Sequence, residues 1–233
     1  MRVSHAGSGF SRAGVEVHFA DGGTPRPGQA IGVRGSAYGS RVSDIPREIL
    51  TERLRLCKPE RDDLDAVFAI NSDPRVWTHF PSLRPTDPAQ IVTMMAKWQS
   101  SWGRDGLGNW VVRLRSGDEV IGSGGCTLLS GEPDDPAARV WSLGYRLSAD
   151  HHGHGYATEL ARAARLAAAQ VAAGLPVVAY LVEHNRASAA VAEKVGLELF
   201  HRAPDAGNPD PAVMRLVYAD RALSAPQLAT ALR

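Results

Sequence analysis

The 233-residue sequence predicts a single α/β domain built on a central mixed sheet flanked by helices. Three observations predict it. From residue 48 onward, period-2 and period-3.6 apolar patterns follow in the order β-α-α-β-β-β-α-β-α-β-β. Within that order, the strand "ARVWSLGYRLS", a glycine-containing turn, an alanine-rich helix and the β-branched strand "LPVVAYLVEHN" make one parallel crossover unit. A hydrophobic content of 44% with 22% charged residues is that of an ordinary globular protein with one sizeable core.

Residues 1–47 carry 9 of the 23 glycines and no sustained period, which predicts a flexible N-terminal extension with at most a short strand at "VEVHFA". The domain is expected over 48–222. "RLRLCKP" (Arg53 to Pro59) alternates as a strand. Leu64, Val67, Phe68 and Ile70 then recur at helical spacing. Asp87 as N-cap and Pro88 at the first helical position start a second helix. "NWVVRLRSGDEVIGSGGCTLL" is two strands joined by a turn at Ser116–Asp118. After the next strand, Ala157, Leu160, Ala161, Ala164, Ala168 and Val171 form the apolar face of a helix. Gly174 stops it. "RASAAVAEKVG" is a short helix ended by Gly196, "LELFHRA" and "AVMRLVYAD" are a closing strand pair, and 223–233 is expected to be a tail.

The net charge of +1 offers no electrostatic basis for nucleic acid or an anionic membrane as a main partner. No apolar run reaches the roughly 18 residues of a membrane span, and the N-terminus lacks the apolar segment of a signal peptide. The two cysteines, Cys57 and Cys126, lie in apolar or strand-like stretches and are expected as free thiols, which fits a cytoplasmic protein.

The chemistry concentrates in "SADHHGHGYATELARAARLAAAQ", Ser148 to Gln170. Its turn precedes a helix, where unpaired N–H groups and the helix dipole attract an anion, and Gly153 and Gly155 let the backbone approach one. Three readings compete. A metal site would use His151, His152 and His154, but their crowding around two glycines is unlike metal-ligand spacing, and no metal is expected. A dinucleotide fingerprint would need a glycine where Thr158 stands, with Glu183 as a distant ribose ligand. The third reading is an acyl-coenzyme A cradle.

"LGYRLSADHHGHGYATE" and "NRASAAVAEKVGLE" resemble two linked motifs of the GCN5-related N-acetyltransferases (GNAT). The closest likeness is to the branch that acetylates ribosomal-protein N-termini (RimJ/RimL-like). Gly144, Tyr145, Leu147, Gly153, Gly155, Tyr156, Ala157, Thr158, Glu159, Asn185, Ser188, Glu193, Lys194 and Gly196 fall on motif positions. The likeness spans about Leu50 to Ala222. Departures are Asp150 at the first motif position, Leu197 for the usual Phe, Ser142 where many relatives carry a glutamate, and Ala192 where some carry a catalytic tyrosine.

The resemblance implies a partly splayed sheet, and acetyl-CoA as co-substrate without a metal. It implies direct acetyl transfer to a primary amine, best a protein N-terminal α-amine, otherwise a small amine such as an antibiotic or polyamine. A non-catalytic acyl-CoA-binding regulatory domain is the alternative of another class. The resemblance also implies that the backbone N–H groups of His152, Gly153, His154, Gly155, Tyr156 and Ala157 bind the pyrophosphate. Arg146 and Leu147 would meet the pantetheine, one of their amides polarising the thioester carbonyl. Asn185 and Ser188 would lie beside the sulfur, with Ser188 the candidate proton donor or merely a helix cap. Glu183 is a candidate base, and Trp77, His79, Phe80 and Trp110 are candidate acceptor-binding residues. A monomer or homodimer is expected.

Overall fold

A computed structural model describes residues 45–131, 134–206 and 208–233, together with the backbone of His18–Phe19. The flexibility expected of residues 1–47 therefore falls mostly outside the described residues. Among the described residues nine strands form one sheet: β1 (His18–Phe19), β2 (Glu48–Leu50), β3 (Leu54–Cys57), β4 (Asn109–Leu114), β5 (Val120–Leu129), β6 (Val140–Leu147), β7 (Val177–Val182), β8 (Glu198–Pro204) and β9 (Met214–Ala219). Their spatial order is β1-β2-β3-β4-β5-β6-β7-β9-β8. Every pairing is antiparallel except β6–β7, so the sheet is mixed, as expected.

Five α-helices among the described residues accompany the sheet: α1 (Leu64–Ser72), α2 (Pro88–Asp105), α3 (Tyr156–Ala172), α4 (Arg186–Lys194) and α5 (Ala225–Leu232). Helix α2 starts where its cap signals place it. The Asp87 carboxylate accepts from the Ala89 N–H, Gln90 reciprocates in a capping box, and Gly106 ends the helix at φ 72°. The alanines of α3 let it lie close on the sheet: Leu160, Ala161, Ala163, Ala164, Ala167 and Ala168 are all buried.

Two expectations need correction. Glu48–Leu50 is a strand paired with β3, although three residues are too few to show a period. The expected tail is helix α5, with Thr230 and Ala231 buried. Its start was legible: Ser224 is followed three residues later by Gln227, and the two form a capping box.

The sheet opens at its one parallel junction. β6 and β7 pair only at Trp141–Val177 and Ser142–Val178. Beyond that point β6 stays with β5 as far as Leu147, while β7 turns to β9 through Val182. The gap left between Leu143–Leu147 and Ala179–Val182 is the splay, and it positions the site.

Candidate active site

Strand alternation decides which β6 groups face the gap. The Trp141 N–H reaches Pro176 O on the β7 side at 2.9 Å, and the Ser148 N–H reaches Ile121 O on the β5 side at 2.8 Å. The N–H and C=O of Tyr145 and Leu147 therefore turn toward the gap, while those of Arg146 turn toward β5. The amide of Arg146, one of two candidates for polarising a thioester, is thus engaged in the sheet. Leu147 O accepts from His152 Nε2 at 3.0 Å, which ties the end of β6 to the turn that follows.

That turn is shaped by Gly153 and Gly155, both at φ 80°, a conformation costly for any residue with a Cβ. Gly155 is the N-cap of α3, and Glu159 is the first residue of that helix to return its N–H, to Gly155 O at 3.1 Å. The N–H groups of Tyr156, Ala157 and Thr158 are left for an anion.

A buried carboxylate anchors this cradle. Glu159, 5% exposed, accepts from the Thr51 hydroxyl (2.5 Å), the Arg53 N–H (2.7 Å) and Arg53 Nε (2.8 Å). Arg53 in turn donates to His154 O at 2.8 Å and lies over the Tyr156 ring at 4.7 Å. Glu159→Ala is expected to destabilise the fold by about 1–3 kcal/mol in denaturant unfolding, because it removes the acceptor of the Thr51 hydroxyl and the Arg53 amide, although Thr51 keeps its bonds to Leu54. The half-exposed Arg53 side chain contributes the smaller share.

Asp150, the departure at the first motif position, has a partner. Both its oxygens accept from Arg75 (2.8 and 3.2 Å), and Arg75 also holds Asp73 at 2.7 Å. The Arg75 guanidinium keeps the Asp150 carboxyl below its ordinary range. The Asp150 charge beside the cradle is thus offset by an arginine from another segment, which Asp73 also holds.

Two cavities meet at the splay. The larger, about 450 Å³, runs along His152, Gly153, Gly155, Tyr156, Ala157 and Thr158 to Leu147 and α4. The smaller, about 300 Å³, lies between Trp77, Phe80, Leu83 and the β7 residues Ala179–Val182. His79, Tyr145, Arg146, Asn185 and Ser188 line both, and so form the junction.

At the junction each group is specified by its neighbours. Asn185 caps α4, its Oδ1 accepting from the Ser188 N–H at 3.1 Å. Ser188 is therefore the capped residue and not the cap, and its hydroxyl makes no hydrogen bond among the described residues. The Tyr145 hydroxyl donates to Ser188 O at 3.4 Å, and burial pushes the phenol above its ordinary pKa. Sequence reading took Tyr145 as a motif position only; an aromatic at the exposed end of the strand was the available signal. The His79 imidazole is held below 6.5, first by burial and then by the charges of Arg146 and His184, so it is neutral at physiological pH.

Two expected site residues lie elsewhere. Trp110 is fully buried against Trp102 and lines neither cavity, because its strand position points into the core. Glu183 is gripped by Arg202 through two 2.8 Å bonds, which hold its carboxyl below the ordinary range, outside both cavities. The His154 ring stacks on Tyr156 at 5.7 Å and does not line the larger cavity; the expectation for His154 concerns its backbone N–H. Both cysteines are free and neither lines a cavity; burial pushes the Cys126 thiol up and the Cys57 thiol up to about 11. Among the described residues no His/Cys/Asp/Glu group is placed to hold a metal, and no helix is long and apolar enough to cross a membrane.

Known proteins share this architecture. A family model described as "Acetyltransferase (GNAT) domain" matches residues 53–198. The crystal structure of an acetyltransferase from Agrobacterium tumefaciens is 30% identical, covers 82% of this chain and 100% of its own, and superposes with a TM-score of 0.59. The ribosomal-protein-S5-alanine acetyltransferase of Vibrio fischeri is 13% identical over 74% of this chain and 94% of its own, with a TM-score of 0.61. RimL, a ribosomal L7/L12 α-N-protein acetyltransferase solved with coenzyme A, is 17% identical over 75% of this chain and 96% of its own, with a TM-score of 0.60. At these low identities the last two are likenesses of fold.

Proposed function

Because the chain belongs to the GNAT acetyltransferase family and is an acyltransferase, we propose that it moves an acetyl group from acetyl-CoA directly to a primary amine, best a protein N-terminal α-amine. The observation that carries this reading is the junction of the two cavities. A thioester lying along the larger cavity and an amine entering the smaller would meet at His79, Tyr145, Asn185 and Ser188.

In this reading the N–H groups of Tyr156 to Thr158 hold the pyrophosphate, and Arg75 offsets the Asp150 charge beside them. The gap-facing backbone of Tyr145 and Leu147 pairs with the pantetheine amides. A gap-facing amide of β6 polarises the thioester carbonyl as charge develops on its oxygen. Attack by the amine forms the C–N bond, expels the thiolate and leaves a proton on nitrogen. Neutral His79 takes the amine proton, and the Tyr145 phenol gives one to the thiolate while the Ser188 hydroxyl and Asn185 amide orient the sulfur. No cysteine is placed for a covalent intermediate.

The acceptor preference rests on basicity. A protein α-amine, with a pKa near 8, is partly neutral at physiological pH, so a weak base such as imidazole suffices. A lysine-like amine near 10 demands more than Glu183, held by Arg202, is placed to supply. A thiol-release assay across N-terminal peptides, polyamines and aminoglycosides tests this preference. Turnover of peptides over other amines is expected, and cofactor binding without turnover on any amine would favour a regulatory acyl-CoA-binding role instead.

His79→Gln is expected to lower kcat/KM about tenfold near pH 7, less than a strongly coupled base, because the amine is partly neutral unaided. In the wild type kcat/KM should fall with acid through a limb below 6.5, as His79 gains its proton. The variant's deficit should shrink as pH rises past the amine's own pKa. A deficit constant across pH would make His79 a wall of the cavity only.

A further inference from the structure

The acceptor cavity contains a cation without a counter-ion. Its other charged pair is internal: Arg215 and Asp205 join at 2.5 Å, both side chains nearly buried, and Arg215 also donates to Leu232 O at 3.0 Å. His79 is neutral. Arg146 has no carboxylate within ion-pair distance among the described residues. Its guanidinium carbon lies over the Trp77 ring, 3.3 Å from the centroid, and Nη1 donates to Val76 O at 2.9 Å. That uses one of five N–H donors. Burial lowers its pKa to about 10, so it stays charged at physiological pH.

An unpaired charge in a half-buried site is costly unless something offsets it. Here the ring face and one carbonyl hold the guanidinium in a fixed plane, which prepares its remaining edge for a planar or tetrahedral oxyanion. The place of Arg146 identifies which reactant brings that anion. Arg146 lines both cavities and its acceptor Val76 lines the larger, but Trp77, under the guanidinium, lines the smaller alone, and the phosphate-binding residues Gly153 and Gly155–Thr158 line the larger alone. As an even-numbered β6 residue, Arg146 extends from the sheet on the side of Ser142, opposite Leu143 and Leu147. The anion therefore belongs to the acceptor.

Resting on the acetyltransferase reading above, we infer that the acceptor is an amine bearing a carboxylate or phosphate close to its nitrogen, and that Arg146 binds this oxyanion. The same chemistry arises from an acidic side chain early in a peptide or from a small amino acid or phosphoamine.

Thiol release by the full-length protein with acetyl-CoA tests this in matched pairs. Peptides beginning Ser-Glu and Ser-Gln form one arm; β-alanine with its amide, and phosphoethanolamine with ethanolamine, form the other. The anionic member of at least one arm should be preferred about ten- to a hundredfold in kcat/KM, mainly through acceptor KM. The responding arm names the source. Arg146→Gln should bring that ratio close to one, and Arg146→Lys should keep part of it, since charge remains and the fork is lost. Equal use of neutral and anionic amines by the wild type overturns the inference and leaves the acetyltransferase reading standing. So does an intact ratio in Arg146→Gln, or a rise confined to the acetyl-CoA KM, which would assign the anion to the cofactor. Turnover of no amine in either arm overturns both.

Discussion

Gly155→Val is expected to weaken coenzyme A binding by about 10²- to 10⁴-fold, because two or more charge-assisted N–H bonds of roughly 1.5–3 kcal/mol each are lost. Gly155 sits at φ 80° as the N-cap of α3. A β-branched residue is strained there and would rotate toward negative φ, carrying the N–H groups of Tyr156 and Ala157 off the phosphate axis. Space is a lesser matter, since an added Cβ would come no closer than 3.5 Å to the Arg53 guanidinium. The strain costs only about 1–2 kcal/mol, so the protein should stay folded. Gly155→Asn tolerates the left-handed conformation and should retain more affinity than valine. Calorimetric titration with coenzyme A, beside a thermal melt, checks both variants. Full affinity in Gly155→Val would remove the cradle from the larger cavity.

The second large effect is expected for Tyr145→Phe: kcat falls about 10²-fold with little change in the acetyl-CoA KM. A departing thiolate needs a proton, and a thiol near 8.5 is well served by a phenol near 10. Burial raises the Tyr145 phenol further, so it carries its proton across the physiological range. The residue lies at the junction of the cavities, while Ala192, at the position where some relatives hold a tyrosine, is buried and has no hydroxyl. Serine is a far weaker acid, which leaves Ser188 a hydrogen-bonding role. Only a 3.4 Å bond to Ser188 O is lost, so stability should change little. Unchanged kcat in Tyr145→Phe, with a large loss in Ser188→Ala, would reverse the two roles.

Much of the cradle was legible because its chemistry is local. Gly153, Gly155 and the apolar face of α3 lie within one short stretch, and their spacing alone implies an anion at a helix N-terminus. The junction was less legible. His79, Tyr145 and Ser188 come from three distant segments, and no periodicity joins them. Trp110 illustrates the opposite failure. It is as aromatic as Trp77, but which face of a strand turns toward a cavity depends on what covers the other face. Glu183 looked available as a base until Arg202, 19 residues away, proved to hold it.

The amino-acid sequence by itself determined the order of the main strands and helices and the anion-binding turn between β6 and α3. It also determined the family likeness, since all of these follow from contacts between near neighbours in the chain. Tertiary structure alone decided that β6 and β7 part after Ser142, that Arg75 answers Asp150, and that Arg146 rests on Trp77 without a counter-ion. Those facts depend on partners far apart in the chain, 75 residues in the case of Arg75 and Asp150. Charge compensation and cavity shape are set where distant segments pack, and no local pattern encodes them.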